Sequence, residues 1–116
     1  MKVSRAPEAS GPIGAVIEID RSRLSEGVVT LRLAGDLDMF SVPRLRAALA
    51  DSIGRCDVVL DLSGVAFCDS SALRVFVDAQ RTSAAGGRTL ELAHPSRAVR
   101  ELFEVSGLRG VLHVTT

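Results

Sequence analysis

Apolar positions along this chain recur with two periods, and the switches between them mark out the elements. From Ile13 to Asp20, Val16, Ile17 and Ile19 read as a strand; from Gly27 to Ala34, Val29, Leu31 and Leu33 alternate with Thr30 and Arg32. The short Arg21–Glu26 connection predicts that these two strands form an antiparallel hairpin. The period then lengthens. Val42, Leu45, Leu49 and Ile53 share one helical stripe, with Pro43 in the first turn, Ser41 placed to cap and Phe40 placed to staple against Leu45. Asp57–Leu62 (DVVLDL) reads as a strand buried within a sheet. Ser70–Ala84 follows as a helix, entered through Asp69, Ser70 and Ser71, with Leu73, Phe76, Val77 and Gln80 on a partly apolar face and an end near Gly86-Gly87. Arg88–His94 alternates as a strand, and Pro95–Val105 is a third helix. That helix ends in a terminating signature, with Gly107 free to take positive φ and Leu108 able to pack back. Val111–Val114 is a last short strand.

The order is therefore β-β-α-β-α-β-α-β. It predicts a single α/β domain with a mixed, mostly parallel sheet of about five strands and helices mainly on one face. Residues 1–12, with Pro7, Gly11 and Pro12 among Ser and Ala, read as a flexible lead-in, and residues 13–116 as the domain. The 116 residues suit one domain, and 47% hydrophobic against 24% charged side chains suffices for a core without metal or disulfide. Cys56 and Cys68 are not spaced as a redox or metal pair and read as free thiols.

Charge and composition exclude more than they assign. Fourteen basic side chains balance fourteen acidic ones, which argues against direct nucleic-acid or acidic-membrane binding. There is no Trp or Tyr, so little can stack unpaired bases. No apolar run spans a bilayer, and the first dozen residues lack the apolar core of a secretion signal. Enzyme signatures are missing too: His94 and His113 are the only imidazoles, and no phosphate loop, zinc-protease helix or nucleophile elbow is present. Asp69, Ser70 and His94 could be written as a triad, but nothing local supports it. The expectation is a non-enzyme with no cofactor and no metal.

The informative stretch is Val58–Val77 (VVLDLSGVAFCDSSALRVFV), where a buried strand leads through a short loop at Phe67 and Cys68 into Asp-Ser-Ser at a helix start. One reading is capping: Asp69 or Ser70 would accept from the first helical amides. The other is that a second hydroxyl is redundant for capping and stands free at the helix mouth, where a phosphate would add about −1.5 to −2 charges.

In this stretch the sequence resembles the anti-sigma factor antagonists, which share the STAS domain. The resemblance rests on DLSGVAFCDSSAL (Asp61–Leu73), on Gly35-Asp36-Leu37-Asp38 after the second strand, and on the ending from Pro95 to Leu108. It covers about residues 13–114. It implies a cytoplasmic partner switch: the unphosphorylated antagonist binds an anti-sigma factor that is also a serine/threonine kinase of the histidine-kinase-like ATPase fold, freeing the sigma factor. Phosphorylation by that kinase breaks the complex, and a metal-dependent serine phosphatase restores it. By resemblance Ser70 matches the phosphoacceptor and Asp69 the acidic residue before it. Asp36 and Asp38 match acidic turn residues beside the phosphoacceptor that help engage the kinase, and Ser71 matches its hydroxyl neighbour. Ala72 stands where the family has Gly, a position that would let a partner approach closely. Relatives often carry a further C-terminal helix, which implies a short or truncated member. The alternative role is a STAS domain serving as scaffold or regulatory subunit of a stress-signalling or membrane transport complex.

Overall fold

The alternation of the strands becomes a five-stranded sheet with one covered face. In the computed structural model, which describes residues 15–108 and 110–115, the strands are β1 (Val16–Asp20), β2 (Val28–Leu37), β3 (Asp57–Cys68), β4 (Leu90–Ala93) and β5 (Val114–Thr115). The lead-in expected over residues 1–12 and the expected strand start at Ile13 lie outside the described residues. The helices are α1 (Val42–Ala50), α2 (Ser70–Ala85) and α3 (Arg97–Val105).

The strands lie in the order β1-β2-β3-β4-β5. The hairpin is antiparallel, pairing Ile17 with Leu33 and Ile19 with Leu31, and every later pair is parallel. Each helix therefore connects neighbouring parallel strands and each connection steps the same way, so right-handed crossovers stack all three helices on one face. Period-2 alternation supplies that face with Val29, Leu31 and Leu33, Val58, Leu60 and Leu62, Leu90 and Leu92, none more than 2% exposed. The opposite face is polar. Arg32 on β2 bridges Asp20 at 2.9 Å and Glu18 at 3.9 Å across the hairpin. The mixed, mostly parallel α/β domain expected from the pattern is the fold observed.

Two strands run further than the sequence suggests. Gly35 to Leu37 and Ser63 to Cys68 read as turn and loop, yet they pair as strand, with Gly35 opposite Val65, Asp36 opposite Phe67 and Leu37 opposite Cys68. Two register shifts, between Arg32 and Ala34 and between Gly35 and Asp36, admit these turn-prone residues to the ladder. Gly64 is required there, because a Cβ on it would stand 2.9 Å from the Ala34 Cβ. Other bounds move inward. Arg88 is drawn to Asp57 (3.4 Å) and to the Gly27 carbonyl (3.0 Å) instead of extending β4. Val111 and Leu112 both donate to the Leu108 carbonyl at 2.9 Å, so that stretch turns and β5 starts only at Val114.

The helix ends follow from local chemistry. Ser96 caps α3 by accepting from the Val99 amide, so Pro95 lies outside the helix. Gly107 takes φ 74°, and the Leu108 amide reaches back to the Phe103 carbonyl at 3.3 Å, the termination that Gly-Leu predicted. The staple is not formed. Phe40 is 82% exposed while Leu45 is fully buried, because the turn from Met39 to Ser41 is closed by Asp38 and sends Phe40 outward. Cys56 and Cys68 are free, and burial, with the Asp69 carboxylate adding to it, pushes the Cys68 thiol up to about 12.

Candidate functional site

Because β2, β3 and β4 run in parallel, their C-terminal ends gather on one edge of the sheet, where loops leave for α1, α2 and α3. Asp69 organises this edge. Its Oδ1 accepts from the Ser71 amide at 2.9 Å, from the Ala72 amide at 3.2 Å and from the Ser71 hydroxyl, while Oδ2 accepts from the Met39 amide at 3.2 Å. Its own amide donates to the Leu37 carbonyl at 3.0 Å. Asp69 is thus the N-cap of α2 and also the tie between that helix and the β2–α1 loop.

With capping assigned to Asp69, the two serines separate. Ser71 is half-buried and its hydroxyl is spent on the cap. Ser70 is the first residue of α2 and exposed, and its hydroxyl makes no hydrogen bond to any described residue. Ala72 is fully buried, so its methyl faces the core and presents no surface to a partner. It belongs to the inward stripe of Ala72, Val75, Phe76 and Ala79, all 6% exposed or less.

The acidic pair divides in the same way. Asp36 is exposed near the end of β2, opposite Phe67. Asp38 is half-buried, and its Oδ1 accepts from the Phe40 amide at 3.0 Å and the Ser41 amide at 3.1 Å, so it closes the turn into α1. Ser41, expected to cap α1, makes no cap bond. Its hydroxyl donates to the Asp36 carbonyl and accepts from the Asp38 amide, both at 3.0 Å, which braces the turn. Around this edge stand features the sequence pattern did not single out as surface. Met39, Phe40 and Phe67 are 66%, 82% and 52% exposed. A shallow groove running down α2 from Ser70 is lined by Leu73, Arg74, Val77, Asp78, Arg81 and Leu108. For Arg74, the only signal in the sequence is its position four residues after Ser70.

Four aspartates, Asp69, Asp20, Asp57 and Asp61, are held below their ordinary value. For Asp69, partial desolvation works upward, but the Ser71 hydroxyl and the Ala72, Ser71 and Met39 amides outweigh it and leave the group below its ordinary value. The Ser22 amide, then its hydroxyl and the Arg32 guanidinium, lower Asp20 to about 2. The Thr89 amide lowers Asp57 and the Ser63 amide lowers Asp61. The native state therefore binds fewer protons than the unfolded chain around and below the ordinary aspartate value of about 3.9, so stability rises with pH in that range. The urea midpoint is expected to hold from pH 7 down to about 4.5 and then fall as pH drops toward 2, through the depressed native values. A midpoint unchanged between pH 4.5 and pH 2.5 would contradict this.

His94 is exposed at the end of β4 and makes no hydrogen bond to Asp69 or Ser70. Among the described residues no group of three or more His, Cys, Asp or Glu is placed to hold a metal, and no helix is long and apolar enough to cross a membrane.

Residues 15–114 match the family described as "Mlab, STAS domain". The chain belongs to the STAS domain family. Anti-sigma-B factor antagonists of Staphylococcus epidermidis and Staphylococcus aureus are 29% identical to this STAS domain over 86 residues, covering 72% of this chain and 80% of theirs. Among solved structures, the anti-sigma factor antagonist SpoIIAA in its unphosphorylated form superposes with a TM-score of 0.72 at 25% identity, over 87% of this chain and 89% of that one. Bacillus SpoIIAA in the phosphorylated form gives 0.67 at the same 25% identity, over 87% and 92%. An anti-sigma factor antagonist from Mycobacterium paratuberculosis shares the fold, with a TM-score of 0.77 at 20% identity over 92% and 90%.

Proposed function

We propose that this STAS domain is a cytoplasmic anti-sigma factor antagonist that works by partner switching, with Ser70 as the phosphoacceptor. The observation that carries the reading is the Ser70 hydroxyl itself, exposed at the first position of a 16-residue helix whose capping is done by Asp69. A hydroxyl with no structural task is available to a kinase. The names of the staphylococcal relatives and the existence of SpoIIAA in two phosphorylation states support the same role.

The edge around Ser70 suits a protein partner. Met39, Phe40 and Phe67 offer apolar anchors beside the acidic Asp36, with Asp38 and Asp69 holding the loop that carries Met39 and Phe40. The unphosphorylated form docks there on an anti-sigma factor that is a serine/threonine kinase of the histidine-kinase-like ATPase fold, and the sigma factor is released. A phosphate on Ser70 then puts about −2 of charge into that interface, and the complex separates. A metal-dependent serine phosphatase resets the cycle. In this reading the protein is a substrate and a binding module, with no reaction, metal or cofactor of its own and no direct contact with nucleic acid.

The test is incubation with the cognate kinase and ATP, followed by intact mass, site mapping and affinity measurement. Wild type is expected to gain one phosphate at Ser70 and Ser70→Ala none, while Ser70→Asp binds the anti-sigma factor at least tenfold more weakly, about 1.4 kcal/mol. A wild-type chain that never gains phosphate, with Ser70→Asp binding as tightly as wild type, would overturn the switch. Co-purification with transporter subunits and no kinase would favour the scaffold role instead.

A further inference from the structure

The N-terminus of α2 is the obvious seat for an anion, but here it is taken. The Ser71 and Ala72 amides, which point at that space, already donate to Asp69 Oδ1. A phosphate on Ser70 placed over them would meet a carboxylate. That carboxylate is itself fixed, since Asp69 also holds the Met39 amide. Beyond it stands more negative charge, from Asp38 of the β2–α1 loop, which holds the Phe40 and Ser41 amides, and from Asp36 near the end of β2. The phosphate is repelled from the cap side and turns along the helix.

In that direction lies Arg74. It follows Ser70 by four residues, so the two side chains sit on the same face about 6 Å apart along the axis, and both line the groove that runs down α2. Helical side chains lean toward the N-terminus, which tilts the Arg74 guanidinium back toward Ser70. Arg74 is exposed and makes no ion pair or hydrogen bond to any described residue. Asp78, the one carboxylate lining the groove, is engaged by Arg46 of α1 at 3.1 Å and leaves Arg74 free. Arg81 lines the groove two turns beyond Arg74, out of reach of a phosphate on Ser70, and among the described residues the segment after α3 lines it with the apolar Leu108.

We propose that Arg74 is the seat of the Ser70 phosphate: once modified, Ser70 forms a bidentate ion pair with the guanidinium one turn along its own helix. The proposal rests on Ser70 being the phosphoacceptor and adds what the phosphorylated state looks like. The anion is held on the α2 groove, away from Asp69, so the cap and the Met39 tie survive phosphorylation. The pair has the favoured orientation, acid N-terminal to base at i,i+4, and a planar fork matches phosphate oxygens better than an ammonium does.

The test separates this claim from the kinase reading by installing phosphoserine at position 70 during translation, with no kinase involved. The phosphate is titrated by phosphorus NMR in otherwise wild-type protein and in the Arg74→Gln and Arg74→Lys backgrounds. A phosphoserine ordinarily titrates near 6. With Arg74 present its midpoint is expected about half a pH unit below that of Arg74→Gln at low salt. The gap closes in 1 M salt, and Arg74→Lys recovers part of it. Superimposable wild-type and Arg74→Gln titrations at low salt would overturn the proposal. Gln is nearly as good a helix former as Arg, and the position is exposed, so the unphosphorylated variant keeps its fold, as its thermal melt will report. Failure of Ser70 to accept phosphate from any kinase would count against the functional reading and leave this titration interpretable.

Discussion

Replacing Asp69 by Ala is expected to lower the unfolding free energy by about 2–3 kcal/mol, more than an ordinary helix cap contributes. The excess arises because one carboxylate serves two elements. In the variant the Ser71 and Ala72 amides lose their acceptor, the Ser71 hydroxyl loses its partner, and the Met39 amide is released from the start of α2. Asp69→Asn separates charge from geometry. Its amide oxygen can still accept from the helix amides, so the expected loss is under about 1 kcal/mol. Urea denaturation of the three proteins at pH 7 makes the comparison. Equal losses for Ala and Asn would show that the charge rather than the hydrogen-bond network is what matters. The Ala variant should also exchange the Met39 and Ser71 amide protons faster, because both lose their acceptor.

Phe76→Ala is expected to cost about 4 kcal/mol, a large share of the stability of a domain this size. The ring is fully buried and meets Phe103 of α3 edge to face, with centroids 6.1 Å apart and planes at 82°. It gives the helix carrying Ser70 a direct ring contact with α3. Truncation leaves a cavity that Phe103 cannot fill from a rigid, capped helix. A denaturant midpoint within experimental error of wild type would show that α2 and α3 repack freely and that the ring contact holds nothing. Phe76→Leu, which keeps most of the volume, should lose well under half as much.

The fold was largely legible because its strands alternate cleanly and its helices carry interpretable ends. Val29, Leu31 and Leu33 point to one face in sequence and in structure, and the Gly107-Leu108 terminator forms as the residues suggest. What could not be read was set by pairing at a distance. Gly35, Asp36 and Ser63 look like turn formers, and only the ladder between β2 and β3, with its two register shifts, makes them strand. The site was half legible. Asp-Ser-Ser before a helical stripe locates the helix mouth, but the choice of Asp69 over Ser70 as cap and its tie to the Met39 amide, thirty residues upstream, show only in the fold. The burial of Ala72 is legible in its spacing to Val75, Phe76 and Ala79, which places it on the inward stripe. Phe40 followed the staple rule by spacing, and the Asp38 turn overrode it.

The strand order β1-β2-β3-β4-β5 repeats the order of translation. No strand has to wait for a partner made much later, and none is inserted between two already paired. A chain emerging from the ribosome can therefore extend its sheet from one growing edge. The Asp38 turn and the Asp69 cap belong to its early part, since both are complete once α2 has been made. Strands β4 and β5 then widen the sheet away from the hairpin, one parallel strand at a time.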